Sequence, residues 1–142
     1  MSKYTSKIGK INQPDEIIYD FLSDFRNFER IIPRDKISGF EAAEESCKFR
    51  IDGIGEAGLK TVEKEPHKLI KITSDGKAPF DFSFWIQLKP VEQDKKITAI
   101  RLTMDARLNP MMKMMVGKHL QKGIDALVDH MVTFFNEKVQ EE

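Results

Sequence analysis

Cysteine is almost absent. Cys47 stands alone in 142 residues, which excludes an internal disulfide and any cysteine-built zinc cage. An excess of either charge is missing too, with 23 Lys and Arg against 23 Asp and Glu. Nucleic-acid binders displace counterions with clustered positive charge. Here no run of Lys or Arg exceeds two residues, so DNA and RNA are set aside. Long apolar runs are lacking as well. Nothing approaches the ~20 residues needed to cross a bilayer, and Met1–Lys7 has no apolar core of the kind a signal peptide carries. These absences lead us to expect a cytoplasmic protein with no integral membrane segment. Repeats, linkers and low-complexity tracts are also wanting, so residues 1–142 are expected to form a single domain.

The pattern of what is present changes period along the chain. Lys3 to Ile11 reads as a first strand, with Tyr4, Thr5, Ile8 and Ile11 favouring extended backbone. Pro14 suits the first position of a helix, and Asp15 and Glu16 suit its positive end. Ile17, Ile18, Phe21, Leu22 and Phe25 then follow at helical spacing. A second short helix is expected over Asn27 to Ile32, stopped by Pro33.

From Ile37 to Leu108 the period becomes two, broken by turn signals at Glu44-Glu45-Ser46, Asp52-Gly53, Glu65-Pro66-His67, Asp75-Gly76 and Gln93-Asp94-Lys95. The clearest strand is Phe80 to Leu88, with four further apolar residues, Phe82, Phe84, Ile86 and Leu88, on the parity of Phe80. Ile97 to Leu108 likewise sets Ile100, Leu102, Met104 and Ala106 on one side. Such alternation describes an antiparallel sheet with one dry and one wet face. Its cover is the last segment, where Asn109 is a good N-cap and Pro110 a good first helical residue. Leu120, Ile124, Leu127, Val128, Met131, Phe134 and Phe135 fall within a sector of roughly 120° on a helix. The fold class is therefore α+β: strand, two short helices, about six more strands and one long C-terminal helix.

Residues capable of chemistry are few. His67 follows Pro66 in a turn and reads as solvated. His119 and His130 lie on similar sides of the last helix, but roughly 16 Å apart along it, whereas a shared metal needs bonds of about 2 Å. No metal site is expected. Cys47 shares the apolar parity of Phe49 and Ile51 and reads as an inert buried thiol. Among carboxylates, Glu56 and Asp105 lie near strand ends and could tilt inward, yet parity favours solvent for both. Two features stand out. Met111, Met112, Met114 and Met115 place four of the seven methionines in five positions, spread around roughly half the helix circumference. They serve either as plain packing or as a soft gate or partner surface. Trp85 sits on the parity of Asp81, Ser83 and Gln87, so either a bulge turns it inward or it lies on the wet face, where it would suit a homodimer or partner contact.

Several segments carry a likeness to a known superfamily. Ser6-Lys7-Ile8-Gly9-Lys10-Ile11 running into Asn12-Gln13-Pro14-Asp15-Glu16-Ile17-Ile18 resembles its strand, Pro-x-Glu and helix entry. Leu22-Ser23-Asp24-Phe25-Arg26-Asn27-Phe28 resembles its joint between two helices, and Ile31-Ile32-Pro33 the exit from the second. With the long helix from Pro110, the chain resembles the helix-grip superfamily of START domains, birch-pollen allergen (Bet v 1) relatives and polyketide cyclases, known together as SRPBCC. The resemblance implies a curved antiparallel sheet of about seven strands wrapped around the C-terminal helix. It also implies a cavity between the two, used in that superfamily for lipids, polyketides, quinones and plant hormones. It carries no catalytic signature. Neither a catalytic residue nor a cofactor is assigned.

The expected wall comes from the sheet through Phe49, Ile51, Leu59, Ile70, Ile72, Phe82, Phe84, Ile86, Leu102 and Met104. From the helix it takes Leu120, Ile124, Leu127 and Met131, with Met112 and Met115 in the gate. The leading expectation is binding or transport of an apolar small molecule. A cyclase or hydratase would need a polar pair in the cavity, for which Thr61, Glu56 and Asp105 are the candidates. A filled core would instead suit a protein-interaction module using Trp85 or Met111–Met115.

Overall fold

In the computed structural model, which describes residues 2–32, 34–76 and 78–141, eight strands form one antiparallel sheet. They are β1 (Ser2–Thr5), β2 (Gly9–Ile11), β3 (Ile37–Ala42), β4 (Ser46–Ile51), β5 (Gly55–Glu65), β6 (Leu69–Ser74), β7 (Phe82–Val91) and β8 (Asp94–Ala106). Helix α1 (Asp15–Leu22) and a 3₁₀ turn (Phe25–Arg30) follow β2, and helix α2 (Pro110–Glu141) ends the chain. Sheet order is β1-β8-β7-β6-β5-β4-β3, with β2 also on β8. Every step from β3 to β8 is a hairpin neighbour, as the spacing of turn signals predicts. Among the described residues, no helix is long and apolar enough to cross a membrane.

Four boundaries differ from expectation, each for a local reason. The first strand is two. Ser6 pairs with Leu102 through its N–H and hydroxyl (2.8 Å each), while Gly9 faces Ile100. Three steps on one strand thus oppose two on the other, a bulge that leaves Ile8 63% exposed. Pro14 precedes α1 as its cap residue, in extended conformation, instead of being its first residue. Ile18 and Leu22 are buried on α1, whereas Ile17 points to solvent. The second helix starts two residues early and is 3₁₀, because the Asp24 carboxylate accepts the Arg26 N–H at 2.9 Å and sets the first turn. Its expected stop, Pro33, lies outside the described residues. Lastly, β7 begins at Phe82 and β8 runs Asp94–Ala106, leaving Phe80 and Leu108 outside the ladder.

Helix α2 begins as its residues dictate. The Asn109 side chain accepts the Met112 N–H at 2.8 Å, and its carbonyl accepts Lys113 N–H. The helix lies against β1, β2 and β8. Close approach depends on Gly9, where a Cβ would fall 2.6 Å from Val132 and 2.7 Å from Val128. Polar contacts fasten the same flank. Gln121 donates to the Thr5 carbonyl, Asp125 accepts the Lys7 N–H that the bulge frees, and Asn136 accepts the Asn12 N–H, at 2.8–2.9 Å. Meanwhile α1 covers β7 and β8, and the 3₁₀ turn covers β3 and β4.

Candidate functional site

Cross-strand registers sort the inner face of the sheet into levels. One level runs Leu88, Ile100, Gly9; the next Ile70, Ile86, Leu102; a third Thr61, Ile72, Phe84, Met104, Tyr4. The first two levels are filled. Ile70, Ile86, Ile100 and Leu102 are 0% exposed, as are Val128 and Met131 of α2 above them. A side chain bordering an open cavity keeps surface that water could touch, and these keep none. Ile72, Phe84 and Ile124 are buried with them in the same cluster. Seven residues of the expected wall are therefore packed core.

Away from this filled centre the packing loosens. Phe49, Ile51, Leu59, Phe82 and Met104 of the sheet, and Met112, Leu120 and Leu127 of α2, are only partly buried. Met115 stands 67% exposed, beside Met111 at 71% and Met114 at 85%. Of the methionine cluster, Met112 alone is partly buried. Plain packing of an all-round apolar first turn is thus not how this segment is used.

The polar side chains at this margin are informative. Tyr4 lies on the inner face opposite Met104, and its hydroxyl is shielded with no hydrogen-bond partner among the described residues. Above it is Gly117, where a Cβ would come 3.1 Å from the Tyr4 oxygen. Gly123 faces open space by contrast. Sequence reasoning had placed Tyr4 only as a strand former, since nothing in β1 alone shows what its hydroxyl meets. Thr61 shares the Tyr4 level, but Asp105 alternates to the opposite face between Ser83 and Lys3, and Glu56 pairs beside Arg50 on the outer parity. The three candidate polar groups do not converge. One oxygen of Asp105 is itself shielded with no hydrogen-bond partner among the described residues.

Two cavities open along the described residues. One of about 940 Å³ runs along the β3–β5 wing, bordered by Glu41, Lys48, Arg50, Glu56, Gly58 and the Asp75-Gly76 turn, and of the expected wall only Phe49 reaches it. Another of about 400 Å³ lies between the 3₁₀ turn and the C-terminal half of α2, around Arg30, Ile32, His130 and Phe134. The Arg30 guanidinium stacks 5.0 Å from the Phe134 ring there.

The remaining suspects resolve simply. Cys47 is buried, and burial pushes its thiol pKa up to about 12. His119 and His130 are both exposed. His67 occupies the expected turn in the left-handed region, φ 67°, with its ring 5.7 Å from that of Tyr19. No cluster able to hold a metal ion occurs among the described residues. Trp85 lies on the outer face in unbroken register with Lys71 and Thr103, so no bulge turns it inward. It is partly covered, with the Lys71 ammonium 5.3 Å from its ring. The Arg26 guanidinium binds both Asp24 oxygens and holds that carboxyl below its usual pKa.

No protein-family model matches this sequence, and no curated protein does. Solved structures do share its shape. The di-domain ARO/CYC BexL of the BE-7585A biosynthetic pathway superposes with a TM-score of 0.77 at 14% identity, over 100% of this chain and 48% of that one. A norcoclaurine synthase from Thalictrum flavum, solved with a transition-state analogue, gives 0.74 at 12% identity over 98% and 99%. The Aha1 dimer from Colwellia psychrerythraea gives 0.67 at 19% identity over 96% and 97%. At these identities the likeness concerns fold. The chain has the helix-grip α+β fold of the Bet v 1/SRPBCC type.

Proposed function

We propose that this chain binds an apolar small molecule at the margin of its core, beneath the first half of α2. One observation carries the reading: the middle of the inner face is sealed, while Phe49, Leu59, Phe82, Met104 and Met112 keep accessible apolar surface on the same face and its cover. Ligand sites are concave, mostly apolar and sparing of polar groups. Exposed Met111, Met114 and Met115 are flexible, polarizable side chains suited to an adaptable gate. The ligand is a lipid, quinone or polyketide-like ring. Two neighbours in fold, an ARO/CYC and a norcoclaurine synthase, give this class its support. A cyclase-type reaction in this chain is less favoured, because Glu56 and Asp105 lie on the outer face, on strands β5 and β8 with two strands between them, while Thr61 faces inward.

Native mass spectrometry of freshly purified protein, with extraction of any co-purified molecule, tests the proposal. A stoichiometric apolar adduct is expected, lost in Leu59→Glu and Met112→Glu variants that still fold. A clean mass with no uptake from a panel of lipids and quinones overturns it.

The exposed methionines also favour a second reading, in which the start of α2 is a contact between two copies of the chain. The Aha1 neighbour, solved as a dimer, lends it weight. Light scattering at micromolar concentration distinguishes the two: a dimer dissociated by Met114→Glu supports the contact, and a monomer throughout removes it.

A further inference from the structure

We infer that the solvent side of the first three turns of α2 docks on the surface of an anionic lipid bilayer. The inference goes beyond the small-molecule reading and does not depend on it, since it concerns the side of the helix turned away from the sheet.

At about 100° per residue, Met111, Met114, Met115, Lys118 and Lys122 share a sector of roughly 100° on α2. All five are exposed, the three methionines at 71%, 85% and 67%. Along the axis they cover about 16 Å. Charge is arranged on the same ground. Residues 106–124 are the longest stretch of the chain without Asp or Glu, and they carry Arg107, Lys113, Lys118 and Lys122 in a protein of zero formal net charge. None of these four cations has an ion pair among the described residues. The next acids along the helix, Asp125 and Asp129, lie beyond Lys122 and engage Lys7, the first through its N–H at 2.8 Å and the second through its ammonium at 2.6 Å. Exposed methionine alone fits several partners, but lysine among the methionines narrows the choice. A second copy would bring the same cations to the same face, with no acid in the sector to receive them, and like charges so juxtaposed repel. An anionic bilayer receives both kinds of side chain. Flexible thioethers enter the boundary of the acyl chains, while lysine stems lie along it and hold their ammonium groups among the phosphates.

The full chain, with no ligand added, is centrifuged with vesicles of equal parts phosphatidylcholine and phosphatidylglycerol, and with vesicles of phosphatidylcholine alone. It is expected to sediment with the anionic vesicles, far less with the neutral ones, and less as salt shortens the screening length. Lys118→Gln together with Lys122→Gln should weaken partition about twentyfold to thirtyfold, at about fivefold for each charge. Met111→Ser together with Met114→Ser should weaken it by at least about tenfold. All four side chains are exposed, so urea midpoints should stay where they are and the losses belong to the surface. Lys95→Gln together with Lys96→Gln, an equal loss of charge at the exposed start of β8, should leave partition unchanged. A chain that stays in the supernatant with both vesicles overturns the inference and leaves the apolar site untouched. An equal loss in the β8 variant would reduce the attraction to net charge, and an unaffected methionine variant would remove insertion; either result overturns the docking face. A dimer that Met114→Glu dissociates, in a chain that ignores vesicles, would assign the face to a second copy instead.

Discussion

Leu102 and Leu59 have the same side chain on the same face of the sheet, and the structure assigns them opposite sides of the boundary between sealed core and open margin. Leu102 is 0% exposed, between Ile86 on β7 and Ser6 on the N-terminal segment. Leu102→Ala removes three buried carbons, about 2.4 kcal/mol at ~0.8 kcal/mol each. Neighbours that are themselves sealed relax only partly, and a residual void of about 40 Å³ adds about 1 kcal/mol at ~24 cal/mol per Å³. The expected loss is about 3–4 kcal/mol, within reach of a domain whose total is about 5–15 kcal/mol. Leu59 keeps solvent contact already, so Leu59→Ala forfeits part of the transfer term and leaves no closed void, about 1 kcal/mol. With a urea slope of about 1–3 kcal/mol/M, the two variants should differ in midpoint by roughly 1 M at equal slopes. Equal losses, or a larger one at Leu59, would refute the division of the core on which the proposed site depends.

Gly9→Ala should destabilise by about 1–3 kcal/mol, since the new methyl meets Val128 and Val132; Gly123→Ala, facing open space within the same helix, should stabilise by about 0.5–1 kcal/mol. Paired urea titrations check both. The Cys47 thiol, raised by burial to about 12 from 9.0, should react with a disulfide reagent at pH 8 about a thousandfold more slowly than in urea-unfolded protein. Its protonated form favours the folded state, so that contribution is whole below pH 9 and disappears as pH climbs toward about 12. Asp24 has the opposite sign. Its carboxyl is held below 3.8 chiefly by the Arg26 hydrogen bonds, so its contribution is present above that pH and lost as pH falls through the lower folded value. Asp24→Asn should flatten the acid limb of a stability–pH curve below pH 4.

Most of the architecture was legible because it is written in periods. The alternation around Phe84 and Leu102 gave β7 and β8, and the Leu120-to-Phe135 stripe with its Asn109 cap gave α2. Boundaries shifted where one side chain or one extra residue decided the outcome. The bulge after Ser6 has no local signal, since it exists only in register with β8. The 3₁₀ start at Phe25 depends on which backbone N–H the Asp24 carboxylate accepts. Parity cannot tell a wall from a core: Leu102 and Leu59 alternate alike and are packed differently. The surroundings of Tyr4 escaped notice because its hydroxyl meets Gly117, a contact between β1 and α2 that no local pattern shows.

The flank where Thr5, Lys7 and Asn12 meet Gln121, Asp125 and Asn136 joins residues separated by more than 110 positions. On a ribosome the two sides of that seam appear at different times. At about 5–20 residues per second, the 32 residues of α2 take seconds to follow the strands into solution. Throughout that interval the inner face of β8 lacks the cover that α2 brings, and α1 alone shields part of it. Slow closure of so distant a seam makes docking of the last helix the late step that completes the core.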